Sequence, residues 1–162
     1  MCVIVAPRDA GSEPSSYVRG RAKTGHFCTP TVEKQIINTE KAPKATRRYY
    51  SQAVKAGGFV FVSGLTAHDL NGEIVGVGDA KAQAIQTFTN VKAVVEEAGS
   101  TLEDVVKVTV YVTNIDDLAK VAEARDQFFS KSPTASATVE VKGLAHKDML
   151  IEVEAIAIAR GG

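Results

Sequence analysis

The chain has 162 residues, with 19 acidic and 19 basic side chains and a formal net charge of zero at pH 7; that is enough for one domain with a real core and short for two. Those charges are dispersed, so no basic stripe is available to neutralise a run of phosphates, which argues against nucleic acid as a partner. No window approaches the ~20 apolar residues of a membrane span, and the first residues lack the charged-then-apolar order of a secretory signal, so a soluble, cytoplasmic protein with no membrane partner is expected.

Residues 1–35 form an expected irregular N-terminal extension, broken by Pro7, Gly11, Pro14, Gly20, Gly25 and Pro30 and locally basic at Arg8, Arg19, Arg21 and Lys23. Its Ser and Arg content has a weak organelle-targeting character, but no amphipathic face runs through its glycines and prolines, which favours a flexible leader or an upstream start site. Cys2 and Cys28 lack paired spacing and read as free thiols.

A domain over 36–162 is expected to begin with a short strand ending near Ile37 and a turn at Ala42-Pro43-Lys44. Tyr49 to Val54 and Phe59 to Ser63 read as a hairpin joined through Lys55-Ala56-Gly57-Gly58, and Asn71-Gly72 marks a further turn. Asp79 is a candidate N-cap for a helix carrying Ala84, Phe88, Val91 and Val95 on one face and ending at Gly99. Val106, Val108, Val110 and Val112 alternate with Lys107, Thr109, Tyr111 and Thr113 in the clearest strand. Asp116 or Asp117 then caps a second helix with an expected buried stripe of Leu118, Val121, Ala122, Phe128 and Phe129, stopped by Pro133. In Pro133 to Lys142, Ala135, Ala137, Val139 and Val141 are the expected dry row and Ser136, Thr138, Glu140 and Lys142 the polar one. A strand around Glu152 closes the domain. Two helices segregated on one face of a mixed sheet make an α+β architecture.

His26, His68 and His146 are too scattered for a metal set, and Gly76-Val77-Gly78 lacks the strand-to-helix context of a nucleotide loop. No metal site or cofactor is expected.

From Lys41 to Arg160 the order of short motifs resembles the RidA/YjgF reactive intermediate deaminase family. The matching pieces are Lys41-Ala42-Pro43, Tyr50-Ser51-Gln52-Ala53-Val54-Lys55-Ala56-Gly57, Phe61-Val62-Ser63-Gly64, Gly72-Glu73-Ile74-Val75, Asn90-Val91-Lys92-Ala93-Val94, Val105 to Val112, and Ile151 to Ala157. The resemblance implies a chorismate-mutase-like RidA fold, a homotrimer with clefts at its subunit interfaces, and cofactor-independent hydrolysis of a small imine or enamine to a carbonyl compound and ammonia. It also implies roles for particular residues. Glu152 falls on the family's water-orienting glutamate, although a strand glutamate paired across an interface is an equal reading. Tyr50 falls on the tyrosine that closes over the ligand, or it is a packing aromatic. Ser63 and Gly64 fall where the backbone approaches substrate, with a simple bulge as the alternative at Gly64. Asp116 falls where a backbone carbonyl is contributed, so its side chain can be only a cap. Thr138 stands where archetypal members carry cysteine.

The departure is at Ser136, where alignment from Glu140-Val141 puts the arginine that holds the substrate carboxylate. A serine has one hydroxyl and no charge, and losing a desolvated charged contact typically costs several kcal/mol. The expected substrate is therefore a small imine, enamine or related reactive metabolite other than a simple 2-imino acid. Arg47 and Arg48, just before Tyr50, are candidates to supply the missing charge, or they are a solvated basic turn. The rival reading is a non-catalytic small-molecule-binding or protein-interaction trimer of the same fold.

Overall fold

In the computed structural model, residues 33–160 are described. Expectations for the stretch before them, including Cys2, His26 and Cys28, lie outside the described residues. The elements are β1 (Gln35–Ile37), β2 (Ala53–Ala56), β3 (Phe59–Thr66), α1 (Ala80–Glu97), β4 (Val105–Val112), α2 (Leu118–Phe129), β5 (Ala135–Glu140) and β6 (Ile151–Ile158), with 3-10 turns at Leu102–Asp104 and Ile115–Asp117. The strands form one sheet in the order β1-β2-β3-β6-β4-β5. Every pairing is antiparallel except that of β4 with β5, which α2 connects as a crossover helix. Among the described residues no helix is long and apolar enough to cross a membrane.

The core lies between one face of this sheet and the two helices, as the α+β expectation requires. Val60, Val62, Val108, Val110, Val112, Val153, Ala155 and Ala157 from the strands are buried with Phe88, Val91 and Val95 of α1 and Val121, Ala124 and Phe129 of α2. Phe88 contacts both Phe128 and Phe129, at ring-centroid distances of 5.6 and 5.8 Å, tying the helices together. The Asp79 carboxylate accepts from Lys81 and Ala82 N–H groups at the start of α1. At its end, Gly99 N–H donates to Glu96 O and Ser100 N–H to Val95 O, the paired bonds that close a helix.

Helix α1 also carries a polar stripe that faces inward. Gln83, Thr87 and Asn90 are buried at helical spacing. The Gln83 amide donates to Gly76 O and Asp148 O and accepts from Leu150 N–H, while Asn90 donates to Thr66 O and His68 O. These bonds satisfy loop backbone that would otherwise be buried unpaired, and they fix the loops at both ends of the α1 face.

Several local expectations are corrected. Strand β2 starts at Ala53, so Tyr49 and Tyr50 lie in the preceding loop. The hairpin turn is only Gly57-Gly58, whose φ values of 58° and 83° suit a two-residue turn that matches strand twist. Val106 is exposed, because a bulge between Val105 and Lys107 takes it out of the valine row. Along α2 the buried positions are Val121, Ala124 and Phe129, with Leu118 and Ala122 exposed; alanine is too small to reveal which of 122 and 124 belongs to the stripe. Neither aspartate caps α2 through its side chain. Asn114 caps the 3-10 turn by accepting from Asp116 N–H, and Asp117 instead accepts from Lys120 Nζ at 2.7 Å.

The largest correction concerns β5. Its register pairs Val108 with Ser136 and Val110 with Thr138, and pairs Thr109 with Ala137 and Tyr111 with Val139. Paired residues share a face, so the polar row lies on the side of the sheet covered by α1 and α2 and the apolar row on the opposite side. There, Ala137 and Val139 are exposed. Alternation shows that a strand has two faces and leaves open which of them the helices cover.

Candidate functional site

Two groups of the expected residues come together at different places. The first is built around a bulge in β3. Val62 pairs with Ala155 and Leu65 with Val153, so β3 spends one residue more than β6 and leaves Ser63 and Gly64 irregular. Ser63 is anchored from behind: its N–H donates to Gln52 O and its hydroxyl to Ser51 O, at 3.0 and 2.6 Å. Against Gly64 lies the side chain of Glu152, held by β6 between Thr66 and Tyr111. A Cβ at position 64 would overlap Glu152 Oε1 and stand 2.9 Å from its carboxyl carbon. Gly64 is therefore needed for close approach.

Burial, and then the neighbouring Glu154, push the Glu152 carboxyl above its ordinary pKa of 4.5. Tyr111, on the same face, donates its hydroxyl to Glu154 Oε1 at 3.2 Å, and burial and that carboxylate hold its own pKa above the usual phenol value. A half-buried carboxylate with a raised pKa beside a bulged strand is suited to accept and return a proton.

The second group lies on the edge strand β5. Ser136 and Thr138 project on the helix side, and α2 brings Arg125 to them. Arg125 Nη1 donates to Ser136 Oγ at 2.6 Å and Nη2 to Thr134 Oγ1 at 2.8 Å, and the guanidinium lies 5.8 Å from the Phe129 ring centroid. No local pattern marks Arg125, because it stands on a helix eleven residues before Ser136, and only the crossover places the two together.

Within one chain these groups face opposite ways, since Glu152 shares its face with Tyr111 and Val139 while Ser136 and Thr138 share theirs with Val108 and Val110. The loop of Arg47, Arg48 and Tyr50 precedes β2, which is separated from β5 in the sheet by β3, β6 and β4. Tyr50 is partly exposed and lies beside Tyr49, its hydroxyl 3.3 Å from Thr46 N–H. Arg47 and Arg48 are exposed. Asp116 is exposed in the turn after β4. The loop itself is pinned by Gln52, whose amide donates to Thr39, Ala42 and Pro43 carbonyls and accepts from Thr39 N–H. Among the described residues there is no cluster of three or more His, Cys, Asp or Glu groups placed to hold a metal ion.

Residues 39–159 match a family model described as Endoribonuclease L-PSP. A RutC family protein of Pyrococcus abyssi is 50% identical over 78% of this chain and 98% of its own length. A 2-iminobutanoate/2-iminopropanoate deaminase of Dermatophagoides farinae is 36% identical over 77% of this chain and 96% of its own length. Among solved structures, RidA of an Antarctic Psychrobacter is 41% identical, with a TM-score of 0.71 over 76% of this chain and 98% of that one. TdcF of Escherichia coli with bound serine is 38% identical, with a TM-score of 0.71 over the same shares.

Proposed function

The chain belongs to the RidA/YjgF family, and from that premise we propose that it is a cofactor-independent deaminase that hydrolyses a small reactive imine or enamine. The observation that carries this reading is the Glu152 carboxylate seated on Gly64 at the β3 bulge. There it can hold a water beside an imine carbon. The water oxygen adds to that carbon, the electron pair of the carbon–nitrogen π bond moves to nitrogen, and one water proton passes through Glu152 to that nitrogen, giving a neutral tetrahedral carbinolamine. The carbon–nitrogen bond then breaks, nitrogen leaves with the electron pair and a proton as ammonia, and the hydroxyl loses its proton to become a carbonyl. Imine plus water gives carbonyl plus ammonia, and no redox step is involved. Holding the water and moving two protons are tasks within reach of one positioned carboxylate.

In this reading the working site is shared between copies. Glu152 and the Ser136–Thr138 row face opposite sides of the sheet in one chain, so a substrate touching both needs them from two chains, as in a homotrimer with interface clefts. Tyr50, Ser63 and Gly64 would border the Glu152 side, with Thr138, Ser136 and the turn at Asp116 on the other. Arg47 and Arg48 are a second source of positive charge only from a neighbouring copy. The family description names a ribonuclease, but a net charge of zero supplies no phosphate-binding stripe, so a small molecule is the substrate we propose.

The test is release of ammonia and keto acid from freshly generated 2-iminobutanoate by the parent, by Glu152→Gln and in a protein-free control. We expect parent turnover above the control and a fall of about 100-fold or more in the variant. A parent no faster than the control, across imines with and without a carboxylate, would leave the non-catalytic binding trimer as the better reading.

A further inference from the structure

We propose that Arg125 is the anion-binding group of this site, its guanidinium aimed from α2 through the Ser136 and Thr134 hydroxyls to take the carboxylate of a 2-imino acid. Among the described residues, two of the five N–H groups of the guanidinium are used, one on each terminal nitrogen, to Ser136 Oγ and Thr134 Oγ1. The guanidinium carbon lies within cation–π range of the Phe129 ring on the same helix. The side chain is thus ordered before any ligand arrives, which removes much of the rotamer entropy an arginine otherwise loses on binding.

What the arrangement lacks is a counter-charge. Among the described residues no carboxylate lies within ion-pair distance of Arg125, although Arg160, Lys81 and Lys120 each have one. The group is half-buried, and burial holds its pKa below the ordinary arginine value, with Asp126 opposing only in part. A tie between α2 and β5 needs no charge, since neutral donors would serve two hydroxyls equally well. A partly desolvated cation with idle donors is stabilised by an anion, and the guanidinium fork matches the two oxygens of a carboxylate. Ser136, exposed on the edge strand, leaves the approach open. A serine at 136 therefore does not remove positive charge from this position: the charge comes from α2, and the hydroxyl orients it. The objection to 2-imino acids as substrates falls with it.

The identity of the anion rests on the deaminase reading; its existence does not. The experiment measures calorimetric binding of 2-oxobutanoate, the hydrolysis product of 2-iminobutanoate, and of the neutral 2-oxobutanamide. It uses the full chain as parent, Arg125→Gln, Arg125→Lys, and Arg47→Ala with Arg48→Ala. We expect the parent to prefer the acid and Arg125→Gln to bind it about 10- to 100-fold more weakly, with the amide unaffected. Arg125→Lys should fall between, because it keeps the charge and stem without the fork; it also serves if Arg125→Gln does not fold. Equal binding of acid and amide by the parent overturns the proposal. So does acid binding by Arg125→Gln within twofold of the parent, or a loss confined to the Arg47 and Arg48 variant. Ammonia release separates the two readings. A parent that binds the acid through Arg125 without turnover keeps the anion site and removes the deaminase, whereas turnover with kcat and KM unchanged in Arg125→Gln does the reverse.

Discussion

Glu152 and Gly64 act as a pair, and each makes a separate prediction. Because the Glu152 carboxyl titrates above its ordinary value through burial and Glu154, the ionised form proposed to hold water is lost as pH falls through that raised pKa. The rate should then show an acid limb above about pH 4.5 that Glu152→Gln lacks, read from a pH–rate profile. Stability has the opposite sign. A carboxyl whose folded pKa exceeds the unfolded one stabilises the fold below the unfolded value, and that contribution is lost as pH rises through the folded value. Glu152→Gln should therefore melt slightly higher than the parent at pH 7 and no higher at pH 4, by a small margin because solvent screens a half-exposed group. Gly64→Ala places a methyl on Glu152 Oε1. The carboxyl is the free end of a flexible side chain and can swing away, so we expect a stability loss below about 1.5 kcal/mol but a fall in turnover of about 10- to 100-fold.

Elements here are joined by buried amides as much as by apolar contact. Gln52 at the entry to β2 satisfies three carbonyls and one N–H of the 39–43 loop, and that loop leads into the Arg47–Tyr50 segment. Gln52→Ala leaves those groups buried and unpaired, and should cost about 2–4 kcal/mol in urea unfolding while loosening Tyr50. Helix caps and strand alternation were readable because they are local: Asp79 accepts from N–H groups two and three residues on. Gln52 carries no such mark, since its partners lie 9 to 13 residues away along an irregular loop. The Val106 bulge and the late start of β2 escaped for a related reason, as both depend on pairing with another strand.

Among the described residues, one face of the sheet carries no helix. Phe59, Phe61 and Ile158 stand there at 43%, 44% and 49% exposure, paired across β3 and β6, with Val139 on β5. An apolar face of this kind favours association, and light scattering should give three times the 17.2 kDa of one chain. Phe61→Asp costs the single chain little because the ring is not in its core. It should shift the mass toward monomer, and turnover should vanish with it if the site is shared between copies.

The α+β layering, both helices and the family motifs were legible in the residue order, because hydrophobic period, caps and turn glycines are written into adjacent residues. The same order identified Glu152, Gly64 and Ser136 as positions to watch. It could not tell which face of β5 meets the helices, since alternation is symmetric between faces until the strand is paired. Nor could it bring Arg125 to Ser136. That meeting depends on α2 crossing back to lay β5 parallel to β4, so the charge beside Ser136 was decided by tertiary packing, through contacts that no local pattern encodes.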